Sequence, residues 1–197
     1  MFQGIAFGLM RCGQPKVALP VGTAVLVWLG LAIHAQAADP ADLQQLIETN
    51  ECANCDLVDA DLRRLDLSDA DLTNANLEGA NLYYARLDRA NLEGANLAFT
   101  NLANASFQDA NLTEVDLYRA LLNYTDFSGA TLTGAEMIEA YIDRTLFIGA
   151  VLQDASFEAT ILRDVDFAGA NLCGAVWWSG VEYRRYVCEV GVPELQE

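Results

Sequence analysis

Three groups of residues in this 197-residue chain have chemistry to offer, and each points to a different activity. Cys52 and Cys55 form a C-x-x-C pair, the spacing of thiol redox motifs. Asp56, Asp59, Asp61, Asp66, Asp69 and Asp71 follow closely, and carboxylate oxygens are the ligands that a hard cation such as Ca²⁺ takes. Tyrosines and arginines, the types enriched at binding hot spots, recur from Arg63 to Arg163. Histidine and lysine are nearly missing: the one histidine, His34, and the one lysine, Lys16, both lie in the first 37 residues.

That first segment reads as a leader. Arg11 and Lys16 precede an apolar run from Val17 to Ile33, and Ala35, Gln36 and Ala37 supply an A-x-A site, the layout of a secretory signal peptide cut before Ala38. Met10 is an alternative start. The run approaches the length of a membrane span, but Pro20 and the small-residue exit favour cleavage, so no stable membrane insertion is expected afterwards. Two of the 11 basic residues lie in the leader and all 28 acidic ones lie beyond it, leaving 9 against 28, a net charge of −19. A mature chain without His or Lys cannot run a Ser-His-Asp triad, a His-liganded metal site, a P-loop or a Schiff base. An enzyme is not expected, nor any cofactor, and so acidic a chain is repelled by nucleic acid and anionic lipid.

The element that must position these side chains has an unusual period. In "ANLEGANLYYARLDRANLEGANLAFTNLANASF" (75–107) a large apolar residue returns at every fifth position, a spacing that neither a helix nor a strand holds on one face. These centres run unbroken from Leu57 to Leu172, 24 units of which 17 are Leu. Two residues before each centre sits a small residue, Ala in 16 of the 24, and no charge enters either register.

The pattern A-(D/N)-L-x-x resembles the pentapeptide-repeat family over about residues 55 to 175. The resemblance implies an all-β solenoid, a right-handed quadrilateral β-helix with four units per coil and about six coils. Each unit is then one side of a square, with centre and small residue pointing inward and three residues facing water. At about 4.8 Å per coil the stack is roughly 29 Å long. Coils bury their interior only by stacking, so both ends need caps. Residues 38–54 read as an N-terminal capping helix and lead-in: Asp39 is an N-cap, Pro40 the first helical position, and Leu43, Leu46 and Ile47 share one face. Residues 55–177 form the coils and 178–197 an aromatic-rich C-terminal cap.

The register sorts the remaining chemistry. Cys173 follows the centre Leu172, on the outside of the last coil, where Cys188 from the tail can reach it; a disulfide is expected there, closing a loop worth roughly 3 kcal/mol. Cys52 falls on a centre and Cys55 on a small position, both pointing into the first coil. Buried packing or a local disulfide suits them better than a regulatory thiol pair or a metal site, since a reactive thiol needs exposure and positive surroundings. The early aspartates are spread over four faces rather than converging, so no metal site is expected. Asp and Asn before the centres are expected to bond backbone in tight corners and to form ladders between coils.

Residues 20 apart share a face. Face one is centred on Leu57 and Leu77, face two on Leu62 and Leu82, and faces three and four follow in order. Face four is polar. Face two carries Arg63, Arg64, Tyr83, Tyr84, Leu121, Tyr124, Tyr141, Arg144 and Arg163, including four of the seven arginines and four of the five tyrosines of the repeat region. Face one adds Phe99, Tyr118 and Arg119. These residues make a candidate docking surface for a protein partner, a second copy of the chain included; stacked aromatics that only brace neighbouring coils are the structural alternative. The resemblance favours a scaffold or interaction module of the periplasm or thylakoid lumen. A second branch of the family, acidic rods that mimic DNA towards gyrase, fits the charge but not the leader, and a redox-responsive protein using its cysteines is a third reading.

Overall fold

The computed structural model describes residues 37–178, 183–189 and 192–195, with side chains up to residue 177. The expected leader and the cap side chains therefore lie outside the described residues. Helix α1, Pro40–Thr49, starts as its residues dictate: Asp39 Oδ1 accepts from the Ala41 N–H at 2.8 Å, Pro40 needs no donor there, and Asn50 closes the helix in the left-handed region at φ 58°. Leu46 is fully buried against the first coil and Leu43 packs beside it. Asp42 extends the contact by accepting from the Asp56 N–H at 2.7 Å. Ile47, expected on the same face, is instead 59% exposed. It follows Leu46 by one residue, about 100° round the helix, so of these two only Leu46 is aimed at the coil.

From Glu51 onward every bridge is parallel and offset by 20 residues, beginning with Glu51↔Asp71 and reaching Val151↔Asn171. Where the ladder widens it becomes short strands. β1 (Tyr141–Asp143) pairs with β3 (Ile161–Arg163), and β2 (Ser156–Glu158) pairs with β4 (Val176–Trp178), all in parallel. Strand β5 (Tyr183–Glu189) then adds antiparallel to β4, and β6 (Val192–Leu195) antiparallel to β5.

One unit shows why five residues make a side. In Asp71–Ala75, the Asp71 N–H donates back to Asn50 O at 2.9 Å. Those of Leu72 and Asn74 donate forward to Asn91 O at 2.7 Å and Glu93 O at 2.8 Å. The Ala75 N–H closes a turn on Leu72 O at 3.0 Å, and that of Thr73 is taken by the Asp71 carboxylate at 3.0 Å. All five donors are placed, as buried backbone requires. The turn needs a positive φ at its third residue, the geometry of a type II turn, and all 25 such corners from Asn54 to Gly174 have it.

Centres and small residues point inward, and the centres from Leu57 to Phe157 are at most 2% exposed. The early coils are filled by Leu. Later ones hold a column of rings, Phe107, Phe127, Phe147 and Phe167, stacked at 5.0, 5.2 and 5.2 Å. Where Thr replaces Ala at the small position, its hydroxyl finds a carbonyl of the coil before: Thr100 donates to Leu77 O at 3.1 Å and Thr125 to Leu102 O at 2.9 Å. That removes the cost of burying it.

Leu112 is fully buried in this interior. Losing it forfeits about 1.5 to 3 kcal/mol, and an unpaired buried carboxylate costs more, against a domain stability of about 5 to 15 kcal/mol. Leu112→Asp is expected to give insoluble or protease-sensitive protein; a soluble, protease-resistant variant with the parent's circular dichroism contradicts the inward register.

Candidate interaction surface

The three outward positions of each unit have defined structural jobs. The residue before the centre supplies a side-chain oxygen to the N–H two residues on, as Asn96 does for Ala98 at 2.9 Å and Asp116 for Tyr118 at 2.8 Å. Asparagines there also stack into ladders: Asn111 Nδ2 donates to Asn91 Oδ1 at 2.9 Å, and Asn96 Nδ2 to Asn76 Oδ1 at 3.1 Å. The third outward residue is the left-handed corner, which favours Gly, Asn or Asp and costs other residues about 1 kcal/mol or more.

Face two departs from both rules. Its first column ends in Leu121, Tyr141 and Ile161, which have no oxygen to offer the backbone N–H in that way. Its corner column is Arg64, Tyr84, Asn104, Tyr124, Arg144 and Asp164, with no glycine, whereas each other face has at least one. Seven corners hold Arg or an aromatic ring: four are on face two, two (Phe99 and Arg119) on face one, one (Arg89) on face three and none on face four. Large apolar exposure gathers here too, with Tyr84 at 48%, Leu121 at 45%, Tyr124 at 50% and Ile161 at 51%. A smaller apolar exposure on face three, Leu146 and Ile148, lies near the C-terminal end of the stack.

The side chains on this face meet in pairs, some across coils and some within one. The Arg144 guanidinium lies 5.3 Å from the Tyr124 ring centre and donates to the Tyr124 hydroxyl, a hydrogen bond that raises its pKa. Arg144 also approaches Asp164 at 3.7 Å. Arg163 lies 5.7 Å from the Tyr141 ring centre and donates to its hydroxyl at 3.2 Å. Tyr83 and Tyr84 pack edge to face at 4.5 Å. On face one Phe99 meets Tyr118 edge to face at 5.4 Å, and Arg119 covers Tyr118 while pairing with Glu139 at 2.6 Å. Arg63 forms a bidentate pair with Asp61, whose carboxyl is held below its ordinary range by that hydrogen bond. Arg64 makes no ion pair among the described residues and stands four coils from Arg144, so the eleven candidates form one strip rather than one cluster.

The charge sorts with the faces. In the units centred on Leu57 to Leu172, face one has seven acidic residues against one arginine, face three six against two, and face four four against none. Face two has three against four arginines, and is the one side of these coils that is not strongly negative. Simple counting along the chain hides this, since the sign appears only after sorting by 20-residue columns. Asn123, overlooked in the sequence, sits mid-face with its Oδ1 buried and without a hydrogen-bond partner.

The cysteine motif does not join this surface. Cys52 and Cys55 are not two thiols but one disulfide, buried under α1 at 0% and 5% exposure, so the pair has neither the free sulfur nor the access a thiol switch needs. Cys173 is disulfide-bonded, and the side chain of Cys188, its expected partner, lies outside the described residues. The early aspartates do not converge: among the described residues no group of three or more His, Cys, Asp or Glu side chains is arranged to hold a metal ion. No helix among them is long and apolar enough to cross a membrane.

An exposed cation–π contact contributes about 0.5 to 1 kcal/mol, and a bulky left-handed corner costs about as much or more, so the ring contact alone does no more than offset the corner's cost. Tyr84→Asn is accordingly expected to leave the thermal midpoint unchanged or raise it, by up to about 1 kcal/mol of stability. A loss above about 1 kcal/mol in thermal or urea unfolding assigns the tyrosine to the fold instead.

The family model for pentapeptide repeats matches the chain in eight copies, over residues 55–94, 90–123, 110–147 and 140–176. A pentapeptide repeat protein of the Arabidopsis thaliana thylakoid lumen is similar at 30% identity and TM-score 0.51, over 52% of this chain and 72% of that one. One from the cyanobacterium Cyanothece is 26% identical with TM-score 0.46, over 70% and 98% of the two chains. QnrB1, a plasmid-mediated fluoroquinolone resistance protein, is 22% identical with TM-score 0.47, over 66% and 68%. No curated protein matches. The 20-residue coil, the repeated inward pair and this match together place the chain in the pentapeptide-repeat family, whose fold is the right-handed quadrilateral β-helix.

Proposed function

We propose that this chain is a non-enzymatic, exported interaction module that docks a protein through face two and the adjoining Phe99–Tyr118–Arg119 edge of face one. One observation carries the reading. On face two the residues that best serve the backbone, Gly, Asn and Asp, give way to Tyr, Arg, Leu and Ile, which serve the fold less well and a partner better. His and Lys, two of the usual catalytic side chains, do not occur after residue 37, and in the open cavity on face two lined by Asp61, Arg63, Arg64 and Tyr83 the carboxylate is already paired with Arg63.

Export is supported by the basic, apolar and A-x-A order of the leader, and a periplasmic or lumenal compartment by the similarity to a thylakoid-lumen protein. A buried disulfide at Cys52–Cys55 suits an oxidising compartment. The C-terminal cap is proposed to be stapled by Cys173–Cys188, and the stack to comprise about six coils between α1 and that cap.

Chemical cross-linking with mass spectrometry in the host's exported fraction tests the docking side. Wild type is expected to be captured with a partner through residues of faces one and two, and Tyr84→Asn with Tyr124→Asn and Arg144→Ser to lose most of that capture while staying folded. Capture that is unchanged in the triple variant, or that maps to faces three and four, rejects this site.

A further inference from the structure

We infer that face two pairs with face two of a second copy, the two stacks running antiparallel about a two-fold axis. The inference rests on the docking side proposed above and names its occupant. Two copies of this acidic chain repel one another across faces one, three and four, where the coils carry an acidic excess of six, four and four. On face two the balance is four arginines to three aspartates, and the second, third and fourth coils carry no charge on it at all. That leaves an uncharged, partly apolar middle with charges towards the ends, the anatomy of a protein interface.

Symmetry then selects the orientation. Six coils cross face two, in units that begin at residues 61, 81, 101, 121, 141 and 161. A two-fold axis parallel to the strands lays the first coil on the sixth, the second on the fifth and the third on the fourth, column upon column. Arg64, without an ion pair among the described residues of its own chain, then faces Asp164 of the second copy; Tyr84 faces Arg144, and the Tyr83 hydroxyl faces the Asp143 carboxylate. The like-charge meetings are the two symmetry-related contacts of Arg63 with Arg163, and in both Arg63 is already neutralised by Asp61 at 2.6 Å. The parallel arrangement, with the axis along the middle column of the stack, brings Asp61 to Arg64, but Asp61 is already held by Arg63, and it sets Arg63, Asp143 and Arg163 each upon its own copy. Like charges brought face to face oppose association, so the antiparallel dimer is favoured. One side five residues wide and roughly 29 Å long is smaller than the ~800 Å² per partner of a stable interface, which makes this dimer reversible and dependent on concentration.

The test is sedimentation velocity on protein purified from the host that makes it, over about 5 to 200 μM, where weak interfaces of this class dissociate. Wild type is expected to pass from monomer to dimer. Arg64→Asp and Asp164→Arg should each weaken the dimer by about tenfold, and the double variant Arg64→Asp with Asp164→Arg should recover most of it, because the swap restores each contact. Both positions are exposed corners, and the left-handed conformation already holds Asp and Arg elsewhere in the stack, so the fold should tolerate the exchange. Wild type that stays monomeric throughout, single variants that dimerise like wild type, or a double variant that stays as weak as the singles each overturn the antiparallel dimer. Failure here is distinct from failure of the docking side: a monomer that still captures another protein through Tyr84, Tyr124 and Arg144 refutes the self-pairing and leaves the docking side standing.

Discussion

A left-handed residue at every fifth position is the constraint on which this molecule rests. With it, the chain turns a corner after each centre, closes the turn with one N–H, and places two others on the next coil and one on the last. The fifth N–H falls between ladder and turn, and the Asp or Asn before the centre supplies its oxygen in most units, from Asp56 serving Val58 to Asn171 serving Cys173. Once those donors are satisfied, what remains inside is apolar, and Leu, Phe and Ala fill it without a polar remainder except the threonines, which find carbonyls of their own. Stability is thereby distributed along the stack, each coil depending on its neighbours rather than on a central core.

Because inward positions and backbone are so fully committed, variation is confined to three columns on each side. Faces three and four largely spend theirs on backbone hydrogen bonds and tolerant corners, with Gly94, Gly134 and Gly174 alternating along face four. Face two gives up both services over its later coils and carries Leu121, Tyr124, Tyr141 and Arg144 instead. The physical trade is small per residue, about 1 kcal/mol at a corner, but its repetition along one face of the same stack separates that face from the others. The same face is the one on which basic and acidic residues come closest to balance in the units centred on Leu57 to Leu172.

Much of this was legible from residues alone. Leu every fifth place with Ala two before it implies inward pairs; Asp39-Pro40 marks the helix start, and the register places Cys52 and Cys55 indoors. What the sequence hid was conformation that residue identity does not encode. The corner is occupied by Gly in seven cases but also by Tyr, Phe, Arg, Glu and Ala, so its left-handed geometry emerges only from the ladder that enforces it. Ile47 read as a core residue because helical spacing alone cannot tell which edge of an apolar stripe meets the coil. The Tyr124–Arg144 and Tyr141–Arg163 contacts, 20 and 22 residues apart, depend on rotamers that a column assignment leaves open.

The central claim is that face two, with the adjoining edge of face one, meets a partner while faces three and four bear water. Hydroxyl-radical footprinting with mass spectrometry tests it most directly, comparing the protein in its host's native extract with the same protein diluted until associations dissociate. The account predicts that Tyr83, Tyr84, Tyr124 and Tyr141 are protected in the extract and become reactive on dilution, while Leu146 and Ile148 on face three react equally in both. Equal reactivity of the face-two tyrosines in both states, or protection confined to face three, would contradict it.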